Sequence, residues 1–93
     1  MNYNVIIQTE AIIEIQEAFE WYEKVKEGLG FQLVQEIEVC YNKISNNPKY
    51  YGFISEKYRC IKTKRFPYLV VFEVSDDSVF IYNLLHFKQD RKY

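Results

Sequence analysis

The densest group of charged side chains in this 93-residue sequence is a run of five cations within nine positions, with no acid among them: Lys57, Arg59, Lys62, Lys64 and Arg65. Lys62 and Lys64 are two positions apart, so in an extended strand their side chains project from one face, about 7 Å from each other. Such a pair of ammonium groups can span adjacent phosphates or contact a carboxylate-rich partner. Lysines that keep a sheet edge from pairing with another chain have the same spacing. The run therefore indicates either a polyanion-binding surface or a solvated strand.

A second candidate group lies near the end of the sequence, where His86 follows an apolar stretch. Histidine is the side chain whose ordinary pKa lies nearest neutrality, so His86 can serve as a general acid or base. A histidine at a strand end is also commonly structural, and the sequence shows no second group to complete a proton relay. We therefore assign His86 and Lys62 as catalytic candidates for a nuclease only. The candidates for contact with a target or a protein partner are Arg59, Lys62, Lys64, Arg65, Lys88 and Arg91.

Other kinds of chemistry have no supporting motif. Cys40 and Cys60 have neither a CxxC spacing nor a neighbouring histidine pair, so we expect two free thiols and no metal site. No glycine-rich phosphate loop or nucleophile elbow is present, so no cofactor is expected. The sequence has no signal-peptide pattern and no apolar run near the roughly 20 residues that span a bilayer. A cytoplasmic protein with no membrane partner is the natural interpretation.

Charge is divided unevenly along the chain, although the formal net charge is only −1. Residues 1–48 contain eight acidic and three basic side chains, whereas residues 49–93 contain five acidic and nine basic ones. A polyanion or an acidic protein segment should therefore contact the second half of the chain. Hydrophobic residues make up 48% of the sequence, which is enough for one folded domain spanning residues 1–93.

The elements that position these residues begin with a β-branched run, Tyr3–Ile7, which predicts a short strand. Thr9 is placed to cap the helix that follows. From Ala11 to Val25, apolar residues recur at helical spacing and glutamates cover the remaining surface. Gly28 and Gly30 end this helix, because glycine readily adopts the left-handed conformations that turn the chain.

A second helix follows and stops at the segment Ser45–Pro48, because proline restricts the residue before it. We expect the two helices to form a hairpin with one shared buried face. The hairpin should supply more of the core than the strands do. Its predicted contacts place Ile15, Phe19 and Tyr22 against Val34, Ile37 and Tyr41, and Ile44 continues the stripe of the second helix.

After Pro48 the apolar spacing changes to patterns typical of strands. The predicted strands are Tyr58–Lys64, Tyr68–Val74 and Val79–Phe87, with a further piece near Tyr51–Ile54. Short connections, Arg65–Pro67 and Ser75–Ser78, favour antiparallel hairpins between consecutive strands. The order β-α-α-β-β-β predicts an α+β domain in which the helical hairpin packs on one face of an antiparallel sheet.

The order of these elements, together with several short phrases, resembles the RelE/ParE superfamily over essentially all 93 residues. The phrases are Trp21–Lys24 continuing through Lys26–Gly30, then Asn47-Pro48, Tyr58-Arg59, Arg65–Val74 and the strand ending in Leu85-His86. The resemblance implies a RelE/ParE-like fold. It also implies a bacterial toxin of a type II toxin–antitoxin module, of the kind associated with plasmid stabilization, which a small antitoxin wraps and neutralises. Some members cleave mRNA on the ribosome, and others poison DNA gyrase.

Individual positions favour the ParE-like branch. Leu69 stands where the ribosome-dependent nucleases carry an arginine that stabilises charge on the scissile phosphate, and losing one such group typically costs about 10²–10³ in rate. Cys60 replaces a lysine of that nuclease site, although Lys62 matches another and Tyr93 resembles a tyrosine near the nuclease C-terminus. Many ParE-like relatives have a histidine after the last strand and an arginine three residues later. Here His86 matches that histidine, and Gln89 replaces the arginine.

The resemblance therefore favours a toxin that inhibits DNA gyrase and is held inactive by a cognate antitoxin. The alternative is a ribosome-dependent mRNA endonuclease, in which the ribosome and mRNA are the partners and the 2′-hydroxyl attacks the phosphate. In that alternative Lys62, Lys64, Arg65 and His86 would orient the phosphate and move protons. A second alternative is a non-toxic family member that persists as an antitoxin-binding subunit.

Overall fold

The computed structural model describes residues 2–87 as two helices packed on one face of a five-stranded sheet. In chain order the elements are β1 (Asn4–Ile7), α1 (Thr9–Val25), α2 (Leu29–Asn46), a single 3₁₀ turn (Pro48–Tyr50), β2 (Phe53–Ser55), β3 (Tyr58–Lys62), β4 (Tyr68–Ser75) and β5 (Ser78–His86). The predicted α+β class and the helical hairpin on one sheet face are confirmed. No helix among residues 2–87 is long and apolar enough to cross a membrane.

The sheet has the strand order β1-β5-β4-β3-β2. Strands β3, β4 and β5 form the expected antiparallel meander, and β2 extends it at one edge. The sheet is mixed, however, and not antiparallel throughout, because β1 lies beside β5 and runs parallel to it. Between β1 and β5 the chain reverses its direction an even number of times, at the helical hairpin and at the strand connections. The two strands therefore run in the same direction.

Strands contribute more of the core than helices do, so the prediction about the helical hairpin is wrong. The buried helical residues are Ala11, Ala18, Leu33, Ile37, Cys40 and Ile44, whereas the strands bury Ile61, Tyr68, Val70, Phe72, Val79, Ile81 and Leu84 in the same cluster. Both fully buried residues of α1 are alanines, because α1 lies close to the sheet. The larger α1 residues Ile15, Phe19 and Tyr22 lie on its flanks and are only half-buried.

A single carboxylate joins the two helices at their turn. Glu23 of α1 accepts hydrogen bonds from the backbone N–H groups of Gly28 (3.1 Å), Gly30 (2.8 Å) and Phe31 (3.3 Å), and so caps the N-terminus of α2. Gly28 has φ of +90°, which glycine tolerates without strain. At the start of α1, by contrast, Thr9 is already helical and Gln8 occupies the cap position, so the predicted Thr9 cap does not form.

A second glutamate accepts a backbone hydrogen bond at the edge of the sheet where strand pairing stops. Strand β1 pairs with β5 only as far as Ile81, which leaves the later part of β5 without a neighbour on that side. Glu14 of α1 reaches this edge and accepts the Leu84 N–H at 2.8 Å. The edge is therefore satisfied by a helix side chain where the sheet ends.

Candidate functional site

The sheet face turned away from the helices is termed the open face, and it is where Lys62 lies. Ile61 and Thr63 on either side of Lys62 are buried, whereas Lys62 itself is exposed. Because side chains alternate along a strand, Lys62 projects from the face opposite to Ile61. Its Nζ lies 5.4 Å from the centre of the Phe87 ring, close enough for a cation–π contact.

The open face is largely apolar. Strand pairing arranges its side chains in three rows: Lys62, Leu69 and Leu85; Cys60 and Val71; and Tyr58, Glu73, Phe80 and Ile6. Antiparallel sheets covered on one side usually present polar side chains on the other. Here Val71 is 6% exposed without belonging to the core cluster, because its neighbours on the open face cover it.

One carboxylate lies among the aromatic side chains of this face. Glu73 accepts a hydrogen bond from the Tyr82 hydroxyl at 2.9 Å and lies 3.8 Å from the Lys57 ammonium. The hydrogen bond to Glu73 raises the pKa of Tyr82, and burial adds to the effect. The rings of Tyr58 and Tyr82 contact each other edge to face, with centroids 5.4 Å apart, a separation typical of such pairs. Lys57 is thus partly neutralised by an acid that the local sequence does not reveal.

Arg59 points to the other side of the sheet. Its Nη1 donates to the carbonyl oxygens of Lys49 at 3.2 Å and Tyr51 at 2.7 Å, and its guanidinium lies 3.9 Å from the centre of the Phe53 ring. These contacts tie the 3₁₀ turn and β2 to β3. Arg59 is therefore separated by the sheet from Lys62.

Lys64 and Arg65 are held by α2. Glu36 Oε1 accepts the backbone N–H groups of Lys64 and Arg65, both at 3.0 Å, and Glu36 Oε2 accepts the Arg65 Nε–H at 2.7 Å. Burial raises the pKa of Glu36, but the hydrogen bonds from Arg65 and Lys64 and the Arg65 charge outweigh it, so the pKa is lowered overall.

The predicted strand Tyr58–Lys64 ends two residues early, at Lys62. The Thr63 hydroxyl donates to the Phe66 carbonyl, and the Thr63 backbone N–H donates to the Tyr68 carbonyl at 3.0 Å. These bonds curl the chain into a turn. Lys64 therefore lies in the turn and does not form the expected strand pair with Lys62.

His86 lies on the helix side of the sheet. It pairs with Tyr68 across β4 and β5, and the two rings meet edge to face with centroids 5.0 Å apart. Tyr68 belongs to the core and also contacts Tyr22 of α1 at 6.3 Å, and burial raises its pKa. His86 and Lys62 consequently project from opposite faces of the sheet, so the sheet separates the two catalytic candidates.

Two candidates for partner contact lie near the end of the chain, and the possible metal-binding groups and the thiols are the last features to place. Lys88 and Arg91, together with Gln89 and Tyr93, lie outside the described residues. Among residues 2–87 no group of three or more His, Cys, Asp and Glu side chains could hold a metal ion. Cys40 and Cys60 are both free thiols.

No family model and no curated protein matches the sequence. Solved structures do match the fold. A chain of the chromosomal ParDE TA system from P. aeruginosa is similar with a TM-score of 0.80 and 16% identity, over 90% of this chain and 95% of that chain. A chain of the RelB-RelE antitoxin-toxin complex from Methanococcus jannaschii is similar with a TM-score of 0.56 and 20% identity, over 95% of this chain and 96% of that one. The resemblance to the RelE/ParE superfamily is therefore confirmed at the level of the fold.

Proposed function

We propose that this chain is the toxin of a type II toxin–antitoxin module and is neutralised by a cognate antitoxin. The observation that carries the proposal is the fold likeness, which extends over nine-tenths of the chain and relates it to two toxin–antitoxin systems. Fold alone does not imply function, so the proposal also depends on surfaces that fit such a partner.

The open face is the surface that best suits the antitoxin. Apolar side chains there, including Leu69, Leu85 and Phe80, favour a partner segment with apolar residues of its own. Lys62 is exposed beside them and favours a carboxylate in that segment. Helices α1 and α2 together carry seven acids and two cations, so an acidic segment is repelled from the opposite layer.

We propose DNA gyrase as the target, in the cytoplasm, and not mRNA. A ribonuclease of the alternative type needs its base and its phosphate-stabilising cation within hydrogen-bond reach of the same reacting atoms. Three observations oppose that arrangement. Lys62 and His86 lie on opposite faces, Arg65 is bound to Glu36, and Leu69 stands where the family resemblance implies an arginine in the nucleases.

The test compares the two targets with the same purified protein. We expect inhibition of DNA supercoiling by gyrase and little or no cleavage of mRNA on programmed ribosomes. In cells, induction of the chain alone should stall replication before translation falls. Lys62→Ala and Lys64→Ala should leave any background cleavage unaltered.

Other outcomes would reject parts of the proposal. Cleavage of mRNA in the ribosomal A site that is abolished by Lys62→Ala or His86→Ala would establish the endonuclease alternative. Growth unaffected by induction, with tight antitoxin binding retained, would establish the non-toxic alternative. A neighbouring reading frame that encodes a DNA-binding N-terminus and an amphipathic tail would support the module under either target.

A further inference from the structure

Two aromatic rings beside the free edge of the sheet are largely exposed. Tyr50, in the 3₁₀ turn, is 75% exposed, and Phe53, in edge strand β2, is 59% exposed. Three cations flank them along the chain: Lys49 precedes Tyr50, and Lys57 and Arg59 follow Phe53. We infer that these five residues, termed the β2 platform, bind single-stranded nucleic acid by stacking bases on the two rings and holding phosphates with the cations. The inference goes beyond the proposed function and does not depend on it.

The Tyr50 ring is held in place although it is exposed. It meets the Tyr51 ring edge to face with centroids 5.0 Å apart, and Tyr51 in turn contacts the fully buried Phe72 at 6.3 Å. Pro48, the first residue of the turn, is buried and anchors the backbone. A ring fixed in this way loses little conformational freedom when a base stacks on it.

The Phe53 ring is fixed from one side only. The Arg59 guanidinium lies 3.9 Å from its centroid, and the carbonyl oxygens of Lys49 and Tyr51 hold that guanidinium. The high exposure of Phe53 means that its other ring face is open to a ligand. Base–aromatic stacking accepts any base, because every base has a π-face.

The cations of the β2 platform are accessible to phosphates. Of its three cations, Lys49 and Lys57 are exposed and Arg59 is half-buried. Lys57 is bound to Glu73 only weakly, at 3.8 Å with 59% of its side chain exposed, so it remains available to a phosphate. The platform therefore presents two exposed ammonium groups beside its two rings.

An adjoining pocket offers acceptors for the amino groups of bases, which an acidic peptide side chain lacks. The pocket has a volume of about 500 Å³, and its walls include Lys57, Arg59 and Phe53 together with the carboxylates Glu56 and Asp76. The carboxylates repel a purely acidic ligand, yet they can accept hydrogen bonds from the amino groups of bases. A single-stranded nucleic acid supplies phosphates, ring faces and amino groups together. A duplex keeps its ring faces stacked and cannot use the rings.

The experiment measures fluorescence anisotropy of a labelled single-stranded oligonucleotide of mixed sequence, about 12 nucleotides long, within the usual range of site sizes. We expect binding at low salt that weakens as salt is raised. Tyr50→Ala and Phe53→Ala should each weaken binding by about fivefold or more. Lys49→Gln and Lys57→Gln should each reduce the slope of log affinity against log salt by about 0.7.

Matched variants on the helical layer serve as controls. Phe31 is 62% exposed on α2, so Phe31→Ala removes an aromatic ring of similar exposure, and Lys43→Gln removes a helical cation. Both should bind like the wild type. Thermal unfolding shows whether each variant is folded. If Phe53→Ala does not fold, Tyr50→Ala still tests the inference, because the exposed Tyr50 ring contributes little to the core.

Three results would overturn the inference. One is the absence of binding at low salt. Another is equal affinity for a duplex of the same length, which would indicate charge alone. The third is competition by polyglutamate as effective as by the oligonucleotide, with Tyr50→Ala unchanged, which would assign the surface to an acidic protein. Gyrase inhibition is measured separately in each variant. A failure to inhibit gyrase would therefore not reject nucleic-acid binding, and a failure to bind nucleic acid would not reject gyrase inhibition.

Discussion

Arg65 and Glu36 are 29 positions apart in the sequence, yet Arg65 Nε lies 2.7 Å from Glu36 Oε2. The same carboxylate holds the backbone of the β3–β4 connection, so the helical layer determines where that connection lies. A cation that local sequence assigns to a binding surface is thereby bound within the protein itself.

Loss of this carboxylate should destabilise the fold. We expect Glu36→Gln to lower the free energy of unfolding by about 1–2 kcal/mol at neutral pH, because three hydrogen bonds to a charged group weaken while Arg65 stays largely solvated. Urea unfolding measures the change, with Glu38→Gln on the exposed side of α2 as control. Equal stability of Glu36→Gln and wild type would show that Glu36 does not stabilise the fold.

The same interaction predicts a pH dependence. The pKa of Glu36 is lowered from 4.5 in the folded state, so its stabilising contribution is complete above the unfolded-state value and is lost as pH falls through the folded-state value. The difference in stability between wild type and Glu36→Gln should therefore shrink as pH falls below the ordinary glutamate pKa of 4.5. A difference that is constant from neutral to acidic pH would show that the charge of Glu36 is not responsible.

Close approach of the helices should make Gly30 irreplaceable. A Cβ at Gly30 would lie 2.6 Å from the Phe19 carbonyl oxygen, a backbone atom that cannot move aside cheaply. We expect Gly30→Ala to cost about 1–3 kcal/mol or more in thermal or urea unfolding. Gly52→Ala is the control, since a Cβ at Gly52 meets nothing within 4 Å. Similar costs at both positions would argue against the close helix contact.

The core can be tested at Ile37, which is 2% exposed. Ile37→Ala should cost about 2–5 kcal/mol, through lost burial and the cavity that remains. Val39→Ala, at a residue 50% exposed on the same helix, should change stability far less. An unchanged unfolding midpoint for Ile37→Ala would reject the packing of α2 on the sheet.

The two thiols should differ in reactivity and report on partner binding. Burial raises the pKa of Cys40 to about 11, whereas Cys60 is half-buried on the open face, so a thiol reagent should modify Cys60 first. A bound antitoxin that covers the open face should protect Cys60. Rapid modification of Cys60 within a saturated complex would mean that the antitoxin lies elsewhere.

Association with the antitoxin should depend on salt. Opposite charges mainly accelerate association, whereas apolar burial mainly slows dissociation, so raising salt should slow the on-rate several-fold and leave the off-rate nearly unchanged. Lys62→Gln should reduce the on-rate, and Lys24→Gln on the acidic helix should not. An on-rate insensitive to salt would show that the basic residues do not face the partner.

Short-range patterns in the sequence are sufficient to predict the order and type of the main elements, because helices and strands have different apolar spacings. Apolar spacing marked α1 and α2, Gly28 marked the turn between them, and alternating runs marked β3, β4 and β5. The boundary at Lys64 was missed because the side-chain bonds of Thr63 close a turn that apolar alternation does not indicate.

Which of the predicted site residues share a surface depends on long-range packing, which local patterns do not reveal. Strand register places Lys62 and His86 on opposite faces of the sheet, and helix packing brings Glu36 to Arg65. Sheet pairing likewise brings Glu73 to Lys57. These contacts join residues far apart in the chain, and their geometry comes from the packing of the helical layer on the sheet. A pattern of neighbouring cations contains no information about the acids that packing will bring to them.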